Sequence, residues 1–274
     1  MDVARKDVET SHGVIAVEMT NGTGPDVVFI HGNSSSRRVF HSQFSSEVFA
    51  GYRLICFDLP GHGESGDALD KARTYPLPGL AEASEELLDN LGVKAPILVG
   101  WSLGGHVAIE MVSHSYPAAG LFIVGAPPVG PVISEGFRGN LLSGLASRGA
   151  MTAEDAARFA QNVFGAAVEP FMEEAAARTD QEFRSTLFSG ARLQEKSNQR
   201  DVVSSTDIWT AVVNGGDDQV VNLDYIDNVP FSRLWRNVCF RLPQAGHAPF
   251  LQQSAAFNKL LSEFLSDVAA AGDC

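Results

Sequence analysis

Gly100-Trp101-Ser102-Leu103-Gly104 follows directly on an apolar run at residues 95–99 and precedes a helix-like stretch at residues 106–114. A serine between two glycines, where a strand gives way to a helix, is typical of a nucleophile elbow. Where the backbone reverses so sharply, side chains at the two glycine positions would clash. The stretch therefore predicts that Ser102 lies exposed on a strained turn, where its hydroxyl could act as a nucleophile.

Short apolar runs bounded by Gly, Pro and Asp alternate with amphipathic stretches along the rest of the chain. This alternation predicts an α/β fold, with a mostly parallel sheet and helices on both of its faces. We expect the first two strands to form an antiparallel edge. The predicted strands are residues 14–17, 26–30, 53–57, 96–99, 121–124, 208–213 and 238–242. The predicted helices outside the long insertion are residues 38–49, 80–91, 106–116 and 255–270.

The insertion lies between the strands that end near residue 124 and begin near residue 208. Its periodicity is helical throughout, with Ala-rich, charged segments at residues 153–163 and 170–178. We expect residues 127–206 to form a helical cap, inserted into a core made of residues 1–126 and 207–274. The alternative is a set of ordinary packing helices, but insertions of this size in such sheets usually lie over a functional site.

Composition excludes several classes of partner. The chain of 274 residues has 33 acidic and 20 basic residues, a net charge of −13, and no cluster of Lys and Arg. Nucleic acid and anionic membrane surfaces are therefore not expected as partners. Residues 1–10 are charged and lack an apolar core, so we expect no signal peptide, no membrane anchor and a cytoplasmic location. The three cysteines have no metal-binding spacing, so neither a metal nor another cofactor is expected. The oligomeric state stays unknown.

A serine nucleophile needs a base within hydrogen-bond reach and a third group that orients the base. His247 follows the last predicted strand and precedes the C-terminal helix, and it is the one histidine of seven in such a position. Gly246 before it allows the loop to turn the imidazole back over the strand ends. We therefore expect His247 to be the base, and His31, His62 and His106 to have structural roles.

The acid should come from the turn after the penultimate strand, which reads Asn214-Gly215-Gly216-Asp217-Asp218-Gln219. Neighbouring residues of a loop point in different directions, so one aspartate alone can receive the imidazole N–H. Asp218 lies three residues past Gly215, which leaves the turn room to bring its side chain back. We favour Asp218 over Asp217 as the acid.

Attack on a carbonyl places negative charge on its oxygen, and fixed backbone donors usually stabilise that charge. The N–H of Leu103, at the start of the helix after the serine, is one expected donor. The N–H of Asn33, in the glycine-containing loop after the strand at residues 26–30, is the other. The Asn33 side chain could also bind substrate, or it could cap the next helix as a turn residue.

At this point the residues resemble those of a known family. Nearly the whole chain follows the α/β-hydrolase pattern in order, which implies that fold. The motifs that carry this resemblance are His31-Gly32, Asp58-Leu59-Pro60-Gly61-His62-Gly63-Glu64-Ser65, the elbow, Gly215 to Asp218 and Gly246-His247. Longer strings resemble the metal-independent, α/β-hydrolase type of N-acyl-homoserine lactonase. These strings are residues 31–36, 100–106, 179–180 and 245–250.

This second resemblance implies a serine hydrolase that opens the lactone ring of bacterial quorum-sensing signals through an acyl-enzyme. It assigns Ser102 as nucleophile, His247 as base and Asp218 as orienting acid, with Asn33 beside the oxyanion hole. The lactonase carries Glu at the acid position, where this chain has the shorter Asp218. We expect a neutral acylated lactone or ester as the substrate. Its contacts are expected to be Asn33, Trp101, Phe159 and Phe164, with Phe171 a further candidate.

Two other functions are compatible with the same residues. A carboxylesterase, or a hydrolase of carbon–carbon bonds, would use the same serine, histidine and acid beneath a different cap. A ligand sensor that keeps the triad but turns over slowly belongs to another class altogether. The number of product molecules per protein would separate the sensor from an enzyme.

Overall fold

Eight strands form one sheet within residues 2–139, 141–192 and 196–272, the part of the chain that the computed structural model describes. Cys274, one of the three cysteines, lies outside these ranges. The strands are β1 (Val3–Thr10), β2 (Gly13–Thr20), β3 (Asp26–Ile30), β4 (Arg53–Phe57), β5 (Ile97–Trp101), β6 (Gly120–Val124), β7 (Trp209–Gly215) and β8 (Leu234–Leu242).

Eleven α-helices accompany the sheet within the same described ranges. They are α1 (His41–Phe44), α2 (Lys71–Thr74), α3 (Leu77–Asn90), α4 (Leu103–Ser113), α5 (Ala153–Phe164), α6 (Pro170–Arg178), α7 (Phe183–Arg192), α8 (Gln199–Ser205), α9 (Leu223–Asp227), α10 (Pro249–Gln252) and α11 (Ser254–Gly272). None of the helices in the described part of the chain has both the length and the apolar character needed to cross a bilayer.

The strands lie in the order β1-β2-β4-β3-β5-β6-β7-β8. In the run β4-β3-β5-β6-β7-β8, each strand is parallel to its neighbours. β2 pairs antiparallel with β1 on one side and with β4 on the other. The predicted mostly parallel sheet is confirmed. The predicted antiparallel edge was wrong in its partners, because β3 lies inside the parallel sheet and β1 takes its place beside β2.

β1 was missing from the sequence prediction. Its sequence, VARKDVET, carries four charged residues, and six of its first seven positions are exposed. An edge strand that faces solvent on both sides has no apolar alternation to reveal it. Charged side chains on such an edge also discourage pairing with another chain.

Both faces of the sheet are buried. Along β3, Val27 and Phe29 belong to one apolar cluster, whereas Val28 and Ile30 belong to the other. The first cluster includes side chains of α11, and the second includes side chains of α3 and α4. Helices therefore cover both faces, as the near-continuous apolar runs of the strands predict.

Helices α5 to α8 lie between β6 and β7, where the sequence predicts the helical insertion. The predicted helix at residues 38–49 is instead broken into Arg37–Phe40, His41–Phe44 and Glu47–Phe49. The break comes at Ser46, whose backbone is extended, with φ −85° and ψ 123°. Serine hydroxyls compete with the helical backbone for hydrogen bonds, and this weakens a helix at such positions.

Candidate active site

Ser102 lies at the junction of β5 and α4, with φ of 53°. A Cβ on Gly104 would lie 2.0 Å from the carbonyl oxygen of Ile30, and one on Gly100 would lie 2.4 Å from that of Gly104. Both glycines are therefore required by the close approach of the helix to the strands. The turn presents the Ser102 hydroxyl at the carboxyl edge of the parallel sheet, where ligands bind in open α/β sheets.

Ser102, His247 and Asp218 form a continuous chain of hydrogen bonds. The Nε2 of His247 lies 3.0 Å from Ser102 Oγ, and its Nδ1 lies 2.9 Å from Asp218 Oδ2. Because the carboxylate can only accept, Nδ1 carries the proton and donates, which leaves Nε2 free to accept the serine proton. Ser102 directly follows β5, Asp218 lies in the turn after β7, and His247 lies in the loop after β8. The carboxyl ends of these three strands meet at one edge of the sheet.

Asp218 is fully buried, and three hydrogen bonds hold its carboxylate. Its Oδ1 accepts the N–H groups of Val220 at 2.7 Å and Val221 at 3.1 Å. Burial raises the pKa of this carboxyl, but His247 and the two N–H donors outweigh burial and lower the pKa below its ordinary value. The competing Asp217 is exposed, and its N–H donates to the Ala245 carbonyl. The geometry thus brings Asp218 to His247 and turns Asp217 to solvent.

Two backbone N–H groups beside Ser102 are without partners among the described residues. Leu103 is the first residue of α4, where the helix offers its N–H no carbonyl. Asn33 lies in the loop after β3, and no backbone or side-chain oxygen of the described chain accepts its N–H. A Cβ on the neighbouring Gly32 would lie 3.1 Å from Ser102 Cβ, so this loop passes against the serine. These are the two donors that the sequence predicts for an oxyanion.

The Asn33 side chain is bonded at both ends. Its Nδ2 donates to the Ala146 carbonyl at 2.9 Å, and its Oδ1 accepts the Ser34 hydroxyl at 2.8 Å. Arg184 Nε in turn donates to Ser34 Oγ at 2.7 Å, and the same guanidinium donates to the carbonyls of Gly149 and Ala176. The loop after β3 is thereby tied to the helical segment. The side chain does not cap the next helix, whose N-cap is Ser36, and Asn33 also lines the cavity, so its role as a substrate contact stays a prediction.

Arg184 is a buried cation, 1% exposed. The acceptors that it meets are a hydroxyl and carbonyl oxygens, and burial lowers its pKa to about 10. Nothing in its sequence context distinguishes Arg184, because its acceptors Ser34 and Gly149 lie 150 and 35 residues away along the chain. A second positioning residue is His62, whose Nε2 accepts the Ser34 N–H at 3.2 Å.

The predicted substrate contacts divide into two groups. Trp101 and Phe159 line a cavity over Ser102. Phe164 packs instead against Trp101, with ring centroids 5.5 Å apart, and Phe171 lies against the guanidinium of Arg38. Phe164 comes one position after Val163, a lining residue, and one helical step turns its side chain by about 100° away from the cavity.

Trp101 also holds the loop that carries His247. Its indole N–H donates to the backbone carbonyl of His247 at 2.7 Å, and its ring lies 5.2 Å from that of Phe250. The loop that carries His247 is fixed on its other side by Gln252, which accepts the Gly246 N–H at 2.6 Å and donates to the Phe164 carbonyl at 3.0 Å.

The cavity wall is mostly apolar and comes from both the sheet edge and the helical segment. Besides the residues already named, its apolar lining is Leu77, Val129, Ile133, Phe137, Ala146, Leu187, Phe188 and Val220. Two polar lining residues, His106 and Lys196, are absent from the predicted site. His106 was expected to have a structural role, and its bonds with Gln199 agree with that, but it also lines the cavity. The signal that could have placed it there is its position in the first turns of the helix that follows the serine elbow.

Within residues 2–139, 141–192 and 196–272, no cluster of three or more His, Cys, Asp and Glu side chains could hold a metal ion. The histidines of the loops at this edge of the sheet, His31, His62 and His247, are each engaged in other contacts. His31 Nε2 accepts the Leu59 N–H, and His62 and His247 are bonded as described.

The chain is similar to known proteins in both sequence and structure. The model of a family described as alpha/beta hydrolase matches residues 27–260. A hydrolase of 2-hydroxy-6-oxononadienedioate and 2-hydroxy-6-oxononatrienedioate from a Pseudomonas species is 26% identical over 94% of this chain and 90% of its own length.

Two solved structures are more similar. One is a mutant of the N-acyl homoserine lactonase AidH complexed with N-hexanoyl homoserine, which has 37% sequence identity and a TM-score of 0.95. The other is a second mutant of that enzyme complexed with N-hexanoyl homoserine lactone, with 37% identity and a TM-score of 0.94. Each comparison covers 97% of this chain and 98% of the other. The family match over residues 27–260, together with the serine elbow and the site at the carboxyl edge of the sheet, shows that the chain belongs to the α/β hydrolase family.

Proposed function

We propose that the protein hydrolyses the lactone ring of N-acyl homoserine lactones, with Ser102 as the nucleophile. The observation that carries the proposal is the hydrogen-bond chain from Asp218 through His247 to Ser102, beneath an apolar cavity. Further support comes from the similarity to a lactonase solved with an acylated homoserine lactone. An apolar wall suits an acyl chain, whereas the polar groups converge on the serine.

The reaction begins when His247 Nε2 removes the proton of Ser102 as the serine oxygen attacks the ring carbonyl carbon. The N–H groups of Asn33 and Leu103 stabilise the oxyanion. When the ring carbon–oxygen bond breaks, His247 returns the proton to the leaving oxygen, and an acyl-enzyme with a free hydroxyl remains.

Hydrolysis of the acyl-enzyme must then compete with ring closure. The new hydroxyl stays tethered to the acyl group, so it can attack again at high effective concentration. Water activated by His247 forms the product carboxylate, and the ionised product no longer closes readily at neutral pH. Asp218 orients the imidazole throughout and stabilises it while it carries the extra proton.

We also propose that residues 127–206 act as a cap that holds the acyl chain. Phe159, Val163, Leu187 and Phe188 of this segment line the cavity opposite the sheet edge. Their side chains supply the apolar surface that an acyl chain needs.

The test is hydrolysis of N-hexanoyl homoserine lactone by the purified protein, followed by proton release. A p-nitrophenyl ester and the Ser102→Ala variant are measured in parallel. We expect many turnovers of lactone, lactone kcat/KM well above that for the ester, and a loss of at least about 1,000-fold in the variant.

Other outcomes would replace the proposal. Ester turnover without lactone turnover would make the protein a carboxylesterase. Product that never exceeds one molecule per protein would favour a ligand sensor. Lactone turnover that survives in Ser102→Ala would exclude the acyl-enzyme.

A further inference from the structure

His106 is one of two polar residues of the cavity lining that the reaction scheme does not use, the other being Lys196. His106 lies in the first turns of α4, the helix that follows Ser102, and both residues line the cavity. Its ring lies 6.0 Å from that of Phe137, another lining residue, and it is partly exposed to the cavity.

The hydrogen bonds of Gln199 fix the proton of His106 on Nδ1. Gln199 is fully buried, and its Nε2 donates to the His106 backbone carbonyl at 3.0 Å. The amide oxygen therefore faces the ring, where Gln199 Oε1 lies 2.7 Å from His106 Nδ1. An amide oxygen can only accept, so Nδ1 donates, and Nε2 of the neutral ring is a bare acceptor.

Surrounding groups keep this ring neutral. Burial lowers the pKa of His106 to about 4, with smaller contributions from the positive charges of Lys196 and of protonated His247. Among the described residues, none donates a hydrogen bond to His106 Nε2. The cavity that contains the nucleophile therefore also presents a hydrogen-bond acceptor, within a mostly apolar wall.

We propose that His106 Nε2 is a specificity determinant that accepts a hydrogen bond from an N–H group of the substrate close to the scissile carbonyl. The inference rests on the proposed function, in which the amide N–H of the acylated lactone is that donor. A substrate without the N–H leaves a desolvated acceptor unpaired, and such losses discriminate strongly between substrates.

Two lactones of equal chain length test this role. N-hexanoyl homoserine lactone carries the N–H, and α-heptyl-γ-butyrolactone has the same ring with a plain alkyl chain. The readout is the ratio of their kcat/KM values, because a general structural defect lowers both values alike. We expect the wild type to prefer the amide lactone by at least about tenfold.

Three variants locate the preference. His106→Asn keeps a donor near the Nδ1 position and removes the acceptor at Nε2, so the ratio should fall by about tenfold. His106→Gln places an amide oxygen near the Nε2 position and should retain most of the ratio. His114→Asn makes the same change at the end of α4, where the imidazole contacts Glu85, and should leave the ratio unchanged.

A wild type that does not distinguish the two lactones would overturn the inference even where a variant fails to fold. A His106→Asn protein with the wild-type ratio would overturn it as well. If the wild type opens neither lactone, the proposed function fails, and the same ratio is measured with p-nitrophenyl esters of N-hexanoylglycine and nonanoic acid. A His106-dependent preference for the glycine ester would uphold the inference about His106 even though the proposed function had failed. The absence of such a preference would overturn the inference as well.

Discussion

At the scale of single residues, two neighbouring aspartates in the turn after β7 differ completely in environment. Asp218 is fully buried against His247, whereas Asp217 is exposed. The Asp218→Asn substitution keeps the shape but removes the charge that stabilises protonated His247, so kcat/KM should fall by about 1,000-fold or more. Asp217→Asn should stay within about twofold of the wild type. Steady-state kinetics of both variants decide, and equal losses would contradict the assignment of the acid.

The lowered pKa of Asp218 also predicts how stability depends on pH. In the unfolded chain this carboxyl titrates near its ordinary value of about 4, whereas in the folded protein it stays ionised to lower pH. The contribution of Asp218 to the free energy of unfolding is therefore complete above about pH 4. It is lost as the pH falls from there through the pKa of the folded state.

Urea unfolding between about pH 2.5 and 6 measures this contribution. The free energy of unfolding of the wild type should decline more steeply below about pH 4 than that of Asp218→Asn. Asp217→Asn should retain the wild-type slope, because this side chain faces solvent. Parallel curves for wild type and Asp218→Asn would show that the buried carboxylate makes no net contribution to acid stability.

At the scale of elements, Arg184 on α7 joins three parts of the chain. Replacing it with Met removes the donors to the buried Ser34 Oγ and Ala176 carbonyl and to the half-buried Gly149 carbonyl. We expect a loss of about 2 to 3 kcal/mol in the free energy of unfolding, because each unpaired buried acceptor costs about 1 kcal/mol or more. The kcat/KM should also fall by about tenfold, since Ser34 no longer holds the Asn33 loop in place.

The matched control for this variant is Arg178→Met on α6. Arg178 is 41% exposed and forms a surface ion pair with Asp67, so its loss should cost less than about 1 kcal/mol. Arg184→Lys keeps the charge but lacks the three-way fork of donors, and it should fall between wild type and Arg184→Met. Urea unfolding and kcat/KM for the three variants test this order, and equal effects at the two arginines would contradict it.

At the scale of the whole molecule, the net charge of −13 predicts a kinetic property. A neutral lactone experiences little long-range attraction or repulsion from this charge. Between about 20 and 500 mM NaCl, the kcat/KM should therefore change by less than about twofold, although screening changes greatly over that range. A strong rise or fall with salt would indicate a charged substrate.

The fold was largely predictable because it depends on local patterns. Seven of the eight strands appear as apolar runs, and the elbow between β5 and α4 identifies the edge where the other site residues gather. The order of β3 and β4 was not predictable, since strand pairing depends on contacts distant in sequence. β1 was missed because a charged edge strand lacks apolar periodicity.

The site residues also divide into those that local sequence predicts and those that depend on contacts distant in sequence. Ser102, His247 and Asp218 each follow a recognisable strand, so sequence context located them, and the structure brings them together. His106 and Arg184 have no such context. Their surroundings arise from partners such as Gln199 and Ser34, which are 93 and 150 residues away along the chain.

The hydrogen bonds from Asn33 to Ala146 and from Arg184 to Ser34 limit how the inserted segment could be exchanged between proteins. A segment that could be exchanged as a cassette would let one core acquire new substrates by recombination at residues 127 and 206. Here the cassette and the loop after β3 share hydrogen bonds, so a transplanted segment from another protein would arrive without its partners. A segment without an arginine at the position of Arg184 is therefore expected to leave Ser34 Oγ without this donor, so Ser34 and residue 184 should be exchanged together.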